Sequence, residues 1–161
     1  MARRLHADRR GISPVVATVI LVAVTIVVAV AVAYWMGGLT AIYTRFEKLE
    51  ITAAYAEQKN GNYAITLNIK NSGSADATID SILLNGKPPS EYAGNVIKIV
   101  SGNTTLWNGT EWKNNLPVKA GASASITIEV KANAPFTAGT SIEVKIHTAA
   151  GQEYPKTITL P

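Results

Sequence analysis

The chain has 161 residues, no cysteine, 47% apolar residues and a formal net charge of +4. Without cysteine there is no disulfide, no thiolate metal site and no cysteine nucleophile. The positive charge is no argument for nucleic-acid binding, because Arg3, Arg4, Arg9 and Arg10 against Asp8 place +3 of the +4 in the first eleven residues.

Residues 1–10, MARRLHADRR, are short, basic and without periodicity. Beside an apolar run, such a segment holds its own end in the cytoplasm and sends the other end across the membrane. The run that follows, Gly11 to Thr44, has no charged side chain. Ile12 to Trp35 alone would span about 36 Å as a helix, against a bilayer hydrocarbon core of ~30 Å. Its polar side chains are few: Ser13, Thr18, Thr25 and Tyr34. A helix that is hydrophobic all round belongs in lipid, in a helix bundle, or in each at different times. A secretory signal would carry an apolar core of roughly 7–15 residues and a small-residue cleavage site beyond it. This run is about twice that long and has no such site, so the segment is expected to stay on the chain.

The junction Arg9-Arg10-Gly11-Ile12-Ser13-Pro14-Val15 places basic residues, a small residue and then the start of the apolar helix in succession. This pattern resembles the class III signal of type IV pilins, which a membrane peptidase cuts on the cytoplasmic side, leaving the helix on the mature protein. The run RGISPVVATVILVAVTIVVAVAVAYW resembles the amino-terminal segment of archaeal type IV pilins in particular. Carried over, Arg9 and Arg10 match the basic positions, Gly11 the small residue before the cut, and Ile12 the first mature residue. Cleavage between Arg10 and Gly11 is the competing register. One departure stands out: bacterial pilins carry a glutamate five residues into the mature helix, and Val16 occupies that position here. Pro14 suits a first helical turn, where its missing N–H costs nothing.

On the helix surface, Ala29, Ala33, Gly37 and Ala41 are spaced by four and share a face. Such stripes let helices approach closely in lipid, although an Ala/Val-rich segment also produces the spacing by chance. Gly37-Gly38 is a candidate kink. Tyr34 and Trp35 suit an interfacial aromatic belt, or packing near the head in a polymer.

From Leu49 the period switches to two. Leu49, Ile51, Ala53 and Tyr55 are expected on one face of a half-buried strand, followed by an Asn60-Gly61 hairpin turn. Tyr63, Ile65, Leu67 and Ile69 line one face of the returning strand. Further strands are expected over Ala77 to Leu84, Val96 to Val100, Thr104 to Trp107, Ser123 to Lys131, Thr140 to His147 and Tyr154 to Leu160. Eight or so short strands without a helical period predict an antiparallel sandwich large enough to bury its own core. The fold class is therefore α+β: a long apolar helix, then an immunoglobulin-like β-sandwich without that family's cysteines.

Within the head, Asn103-Thr104-Thr105 and Asn108-Gly109-Thr110 are N-x-[ST] acceptors, so Asn103 and Asn108 are candidate glycosylation sites. Trp107 and Trp112 flank the second and read as packing or subunit-contact residues. No catalytic constellation emerges. His147 reads as a strand residue that hydrogen-bonds locally, and Glu129 and Glu143 fall on separate strands. No glycine-rich nucleotide loop and no clustered carboxylates are present, so neither cofactor nor metal is expected.

The resemblance implies three regions: a basic leader at 1–11, a transmembrane and polymerisation helix at 12–46, and an extracellular head at 47–161. It implies a non-enzymatic filament subunit at the cell surface, inserted first with its amino terminus in the cytoplasm, and used for surface adhesion. The implied partners are other copies of the chain, a prepilin peptidase, and an assembly ATPase with its membrane platform. The alternative is a single-pass, signal-anchored surface protein with a β-sandwich binding module.

Overall fold

The structure is a computed structural model that describes residues 14–92 and 94–161, and does not describe the side chains of residues 41–43. The chain divides into two compact units, with the boundary between Thr44 and Arg45.

The first unit contains α1, Pro14–Tyr43. Pro14 stands at its first position, and the helix continues without interruption through Gly37-Gly38. Its span Pro14–Thr40 has 27 residues, and its most apolar 18-residue window has a mean hydropathy of 3.1. At 1.5 Å per residue that is about 40 Å, enough to cross a bilayer core with some tilt.

The second unit holds nine strands among the described residues: β1 (Leu49–Lys59), β2 (Asn62–Asn71), β3 (Ala77–Leu84), β4 (Val96–Ser101), β5 (Thr104–Trp107), β6 (Leu116–Val118), β7 (Ser123–Lys131), β8 (Ser141–Thr148) and β9 (Glu153–Thr159). They form a five-stranded sheet, order β1-β2-β7-β4-β5, and a four-stranded sheet, order β6-β3-β8-β9. Every strand pairing is antiparallel. The period-two rows explain the packing. Tyr63, Ile65, Leu67 and Ile69 on β2, Ile126, Ile128 and Val130 on β7, and Ile142, Val144 and Ile146 on β8 are buried, as are Ile79, Ile82 and Leu84 on β3, where a register shift between Ile79 and Ser81 moves the row by one residue. Each such side chain contributes about 1.5–3 kcal/mol on burial, so these rows are the main source of the head's stability. Phe136 fills the core from the β7–β8 connection and packs, tilted by 47° with ring centres 5.1 Å apart, against Tyr92, whose hydroxyl donates to the Leu84 carbonyl at 2.7 Å.

The Asn60-Gly61 turn forms as expected, with φ of 53° and 75°, the left-handed pair that a two-residue hairpin requires. Three details depart from the pattern. A register shift between Ile51 and Ala53 turns Ala54 and Ala56 toward the core and leaves Tyr55 45% exposed, so Leu49, Ile51, Ala53 and Tyr55 do not share a face. β6 is a strand of three residues, too short to show periodicity. Pro89–Tyr92 forms a single 3-10 turn in what reads as a loop.

Asn71, at the end of β2, is fully buried and ties the two sheets together. Its Nδ2 donates to the carbonyls of Ala75 and Val118, both at 2.9 Å, and its Oδ1 accepts the Gly73 N–H at 3.0 Å. Val118 belongs to the opposite sheet. Removing the carboxamide would take away all three of these bonds at a fully buried position. Asn71→Ala is therefore expected to cost about 2–4 kcal/mol and to lower the head's midpoint of thermal unfolding by roughly 6–15 °C. Calorimetry of the full chain in detergent checks this, and an unchanged midpoint would contradict the tie.

Candidate assembly helix and head surface

The described side chains of α1 from Pro14 to Thr40 are all exposed except Ala17 and Leu39, which are half-buried. Val15, Leu21, Val27 and Val30 point to different sides, and each is more than 60% exposed. Three threonine hydroxyls interrupt this surface, and each is satisfied by the helix's own backbone. Thr18 Oγ1 donates to Val15 O at 2.8 Å, Thr25 Oγ1 to Leu21 O at 2.6 Å, and Thr40 Oγ1 to Met36 O and Gly37 O at 3.2 and 3.0 Å. Back-bonding of this kind spares a threonine the need for an outside partner. So α1 presents apolar surface on every side and brings no unpaired threonine hydroxyl with it.

Ala29, Ala33 and Gly37 fall on one face of α1; the side chain of Ala41 lies outside the described residues. A Cβ built on Gly37 or Gly38 meets nothing within 4 Å, so neither glycine is required by packing within the chain. Tyr34 and Trp35 are 87% and 67% exposed. The junction residues Arg9, Arg10, Gly11 and Ile12 lie outside the described residues.

The head, by contrast, limits pairing at each sheet edge. Edge strand β1 carries the register shift, β5 has four residues, β6 has three and includes Pro117, and β9 includes Pro155. Shifts, short strands and prolines each interrupt the row of backbone groups that another chain would need for strand addition. β1 also lies alongside β9, closing that flank of the sandwich.

Asn103 lies in the β4–β5 turn and Asn108 just beyond β5, and both are exposed. Asn108 Oδ1 accepts the N–H groups of Thr110 and Glu111 at 3.0 and 2.9 Å, which orders its loop. Trp107 is only 5% exposed and belongs to the core, and its Nε1 has no partner among the described residues. Trp112 packs against the same core, with its Nε1 donating to Asn115 Oδ1 at 3.2 Å.

His147 does not bond locally: its Nδ1 lies 2.7 Å from Asp80 Oδ1, joining β8 to β3 across 67 positions of sequence. Glu129 and Glu143 lie in different sheets. A recess at the β1–β2 hairpin is lined by Lys59, Asn60, Asn62, Tyr63, Ala64 and Glu129, which pair no nucleophile with a base. Among the described residues, no three histidine, aspartate or glutamate side chains converge as a metal site.

No protein-family model matches this chain, and no curated protein sequence matches it. Solved structures do overlap it. The archaellum periplasmic stator protein FlaG from Sulfolobus acidocaldarius is 13% identical with a TM-score of 0.40, over 70% of this chain and 99% of that one. A flagellar-like filament is 14% identical with a TM-score of 0.38, over 92% and 98%. The archaeal flagellum of Methanospirillum hungatei is 19% identical with a TM-score of 0.42, over 92% and 94%. Scores of this size assign no activity or partner to the present chain.

Two outcomes follow from this surface. Ala29→Leu with Ala33→Leu keeps α1 apolar, so insertion into membranes should be unchanged while close helix–helix approach is lost. Energy transfer between labelled copies in vesicles should fall severalfold, and an unchanged signal would exclude the stripe as a contact. At the start of the head, the Lys48 ammonium, 2.9 Å from the Glu50 carboxylate, holds that carboxyl below the ordinary glutamate range. The folded state thus binds this proton less readily than the unfolded chain. The pair's contribution is present above the ordinary glutamate range and is lost as pH falls through the depressed folded value. Carboxyl-carbon NMR should show Glu50 titrating low, and moving up in Lys48→Ala.

Proposed function

We propose that this chain is the structural subunit of an extracellular, type IV pilus-like filament, polymerised through α1. The observation that carries this reading is a helix apolar on every side whose threonine hydroxyls are satisfied internally. Such a helix can leave lipid only for another apolar environment, and a bundle of identical helices supplies one. The interrupted edges of the head favour assembly through the helix over assembly through strand addition. The head then forms the outer surface of the polymer.

In this reading residues 1–11 are the leader, 12–46 the membrane and polymerisation segment, and 47–161 the exposed head. The precursor is inserted with its amino terminus in the cytoplasm and cut beside Gly11 by a prepilin peptidase. Cutting removes Arg3, Arg4, Arg9 and Arg10, which would be costly to draw into lipid or to bury in a helix bundle. Leader removal is thus the licence for extraction by an assembly ATPase and its membrane platform. Surface adhesion is the use we assign to the filament, on the strength of its hydroxyl-rich and nearly neutral head. Glycans on Asn103 or Asn108 would face solvent, where both side chains are exposed.

The test pairs a variant with a mass. Arg9→Ser with Arg10→Ser is expected to accumulate uncut chain in the membrane fraction and to abolish polymer in sheared surface material. Wild-type sheared material is expected to carry a chain that begins at Gly11 or Ile12 by intact mass. Chain found in the membrane fraction alone, uncut and never in sheared polymer, is what a signal-anchored surface protein would give and would overturn the proposal.

A further inference from the structure

The segment Phe46–Lys48 connects α1 to the head and precedes β1, yet it is not a free linker. The Phe46 carbonyl accepts the N–H groups of Ser74 and Ala75 at 2.9 and 3.0 Å, and the Phe46 N–H donates to Ser74 Oγ at 3.2 Å. The Lys48 carbonyl accepts the Ser72 N–H at 2.8 Å. Between them, the Glu47 carboxylate accepts a hydrogen bond from the hydroxyl of Thr148, a fully buried residue at the end of β8. Each of the three residues is therefore held separately.

The loop that does the holding is itself anchored. Asn71 binds it to the Val118 carbonyl of the opposite sheet and to Gly73 and Ala75 within the loop. The Asn71 backbone exchanges hydrogen bonds with Ala122 and Gly121, both at 2.9 Å, and Asp76 Oδ1 accepts the Ala120 N–H at 2.9 Å. Gly73 lets the two backbones meet. A Cβ there would lie 2.5 Å from Phe46 O and 2.6 Å from Lys48 N, both main-chain atoms that cannot step aside.

We infer that loop 71–76 is a mechanical clasp, built so that tension arriving from α1 is borne by several backbone hydrogen bonds at once. Without it, tension at residue 45 would act first on the Leu49 end of β1, an edge strand bonded only to β2, whose register already shifts after Ile51. With it, the load divides between the β2–β3 loop and the end of β8, and so between both sheets. This rests on the filament reading for the source of the tension, because a subunit joined to its neighbours by α1 receives any pull on the polymer through Phe46–Lys48. The clasp is a property of one chain, however, and is measured on one chain.

The absence of native cysteine allows thiol handles anywhere on the chain. The full chain in detergent micelles is held at constant force between Arg45→Cys and Pro161→Cys, or between Glu50→Cys and Pro161→Cys. The first pair loads the clasp and the second bypasses it. Adding Gly73→Ala is expected to shorten the lifetime under load roughly tenfold through the first pair and less than about twofold through the second, since forced unfolding follows the rate of the step that is loaded. Thr148→Val, which removes the Glu47 bond together with the longer contacts of the same hydroxyl to Gln152 at 3.3 and 3.4 Å, should show the same asymmetry more weakly and serves if Gly73→Ala does not fold. Equal shortening through both handle pairs would mean general destabilisation and would overturn the clasp, as would lifetimes that neither substitution changes. Because single chains are read, a failure here leaves the filament reading standing, and a chain that never polymerises can still show the clasp.

Discussion

The lack of a polar face on α1 governs the rest of the molecule. A soluble helix buries one stripe and gives the other to water, whereas Pro14–Thr40 has no side to give. The back-bonded hydroxyls of Thr18, Thr25 and Thr40 add to this, because no threonine of the span calls for an outside partner. Every environment the helix can occupy must be apolar all round, so lipid and a helix bundle are its two physical options.

The head obeys the opposite demand. It must fold without help from α1 and stay out of uncontrolled association. Its inner rows of isoleucine, leucine and valine give it a core of its own. Its edges are short, shifted or interrupted by proline, so the backbone groups exposed there are poorly arranged to pair with another chain. Where the two units join, Phe46–Lys48 is gripped by the β2–β3 loop and by Thr148, so the head's ordered structure begins well before its first strand. In the proposed filament this becomes a division of labour: one unit associates, the other remains itself.

Much of this was legible in the sequence where local chemistry decides. Asn60-Gly61 predicts a hairpin because only a few residues tolerate two successive left-handed conformations. The rows on β2, β7 and β8 show their period plainly because each is apolar on one face only, whereas β3 changes phase between Ile79 and Ile82, where its pairing with β8 shifts register. β1 misled because LEITAAYA contains small apolar residues in both phases, so the register shift after Ile51 is invisible until β2 pairs with it. β6 was missed because three residues carry no period. The clasp was equally hidden. Ser74 bonds Phe46 from 28 positions away and Thr148 bonds Glu47 from 101, and Gly73 reads as an ordinary turn glycine until the opposing backbone is in place. His147 found Asp80 for the same reason: β3 and β8 are distant in sequence and neighbours in the sheet.

The proposed filament rests on α1 exchanging lipid for a core of identical helices. Electron microscopy of isolated surface filaments, with reconstruction of their density, tests it most directly. The account predicts a continuous axial bundle of helices, one per subunit, with antiparallel sandwiches arrayed outside it. Filaments in which this chain's heads join edge to edge, with no helical core, would contradict the account.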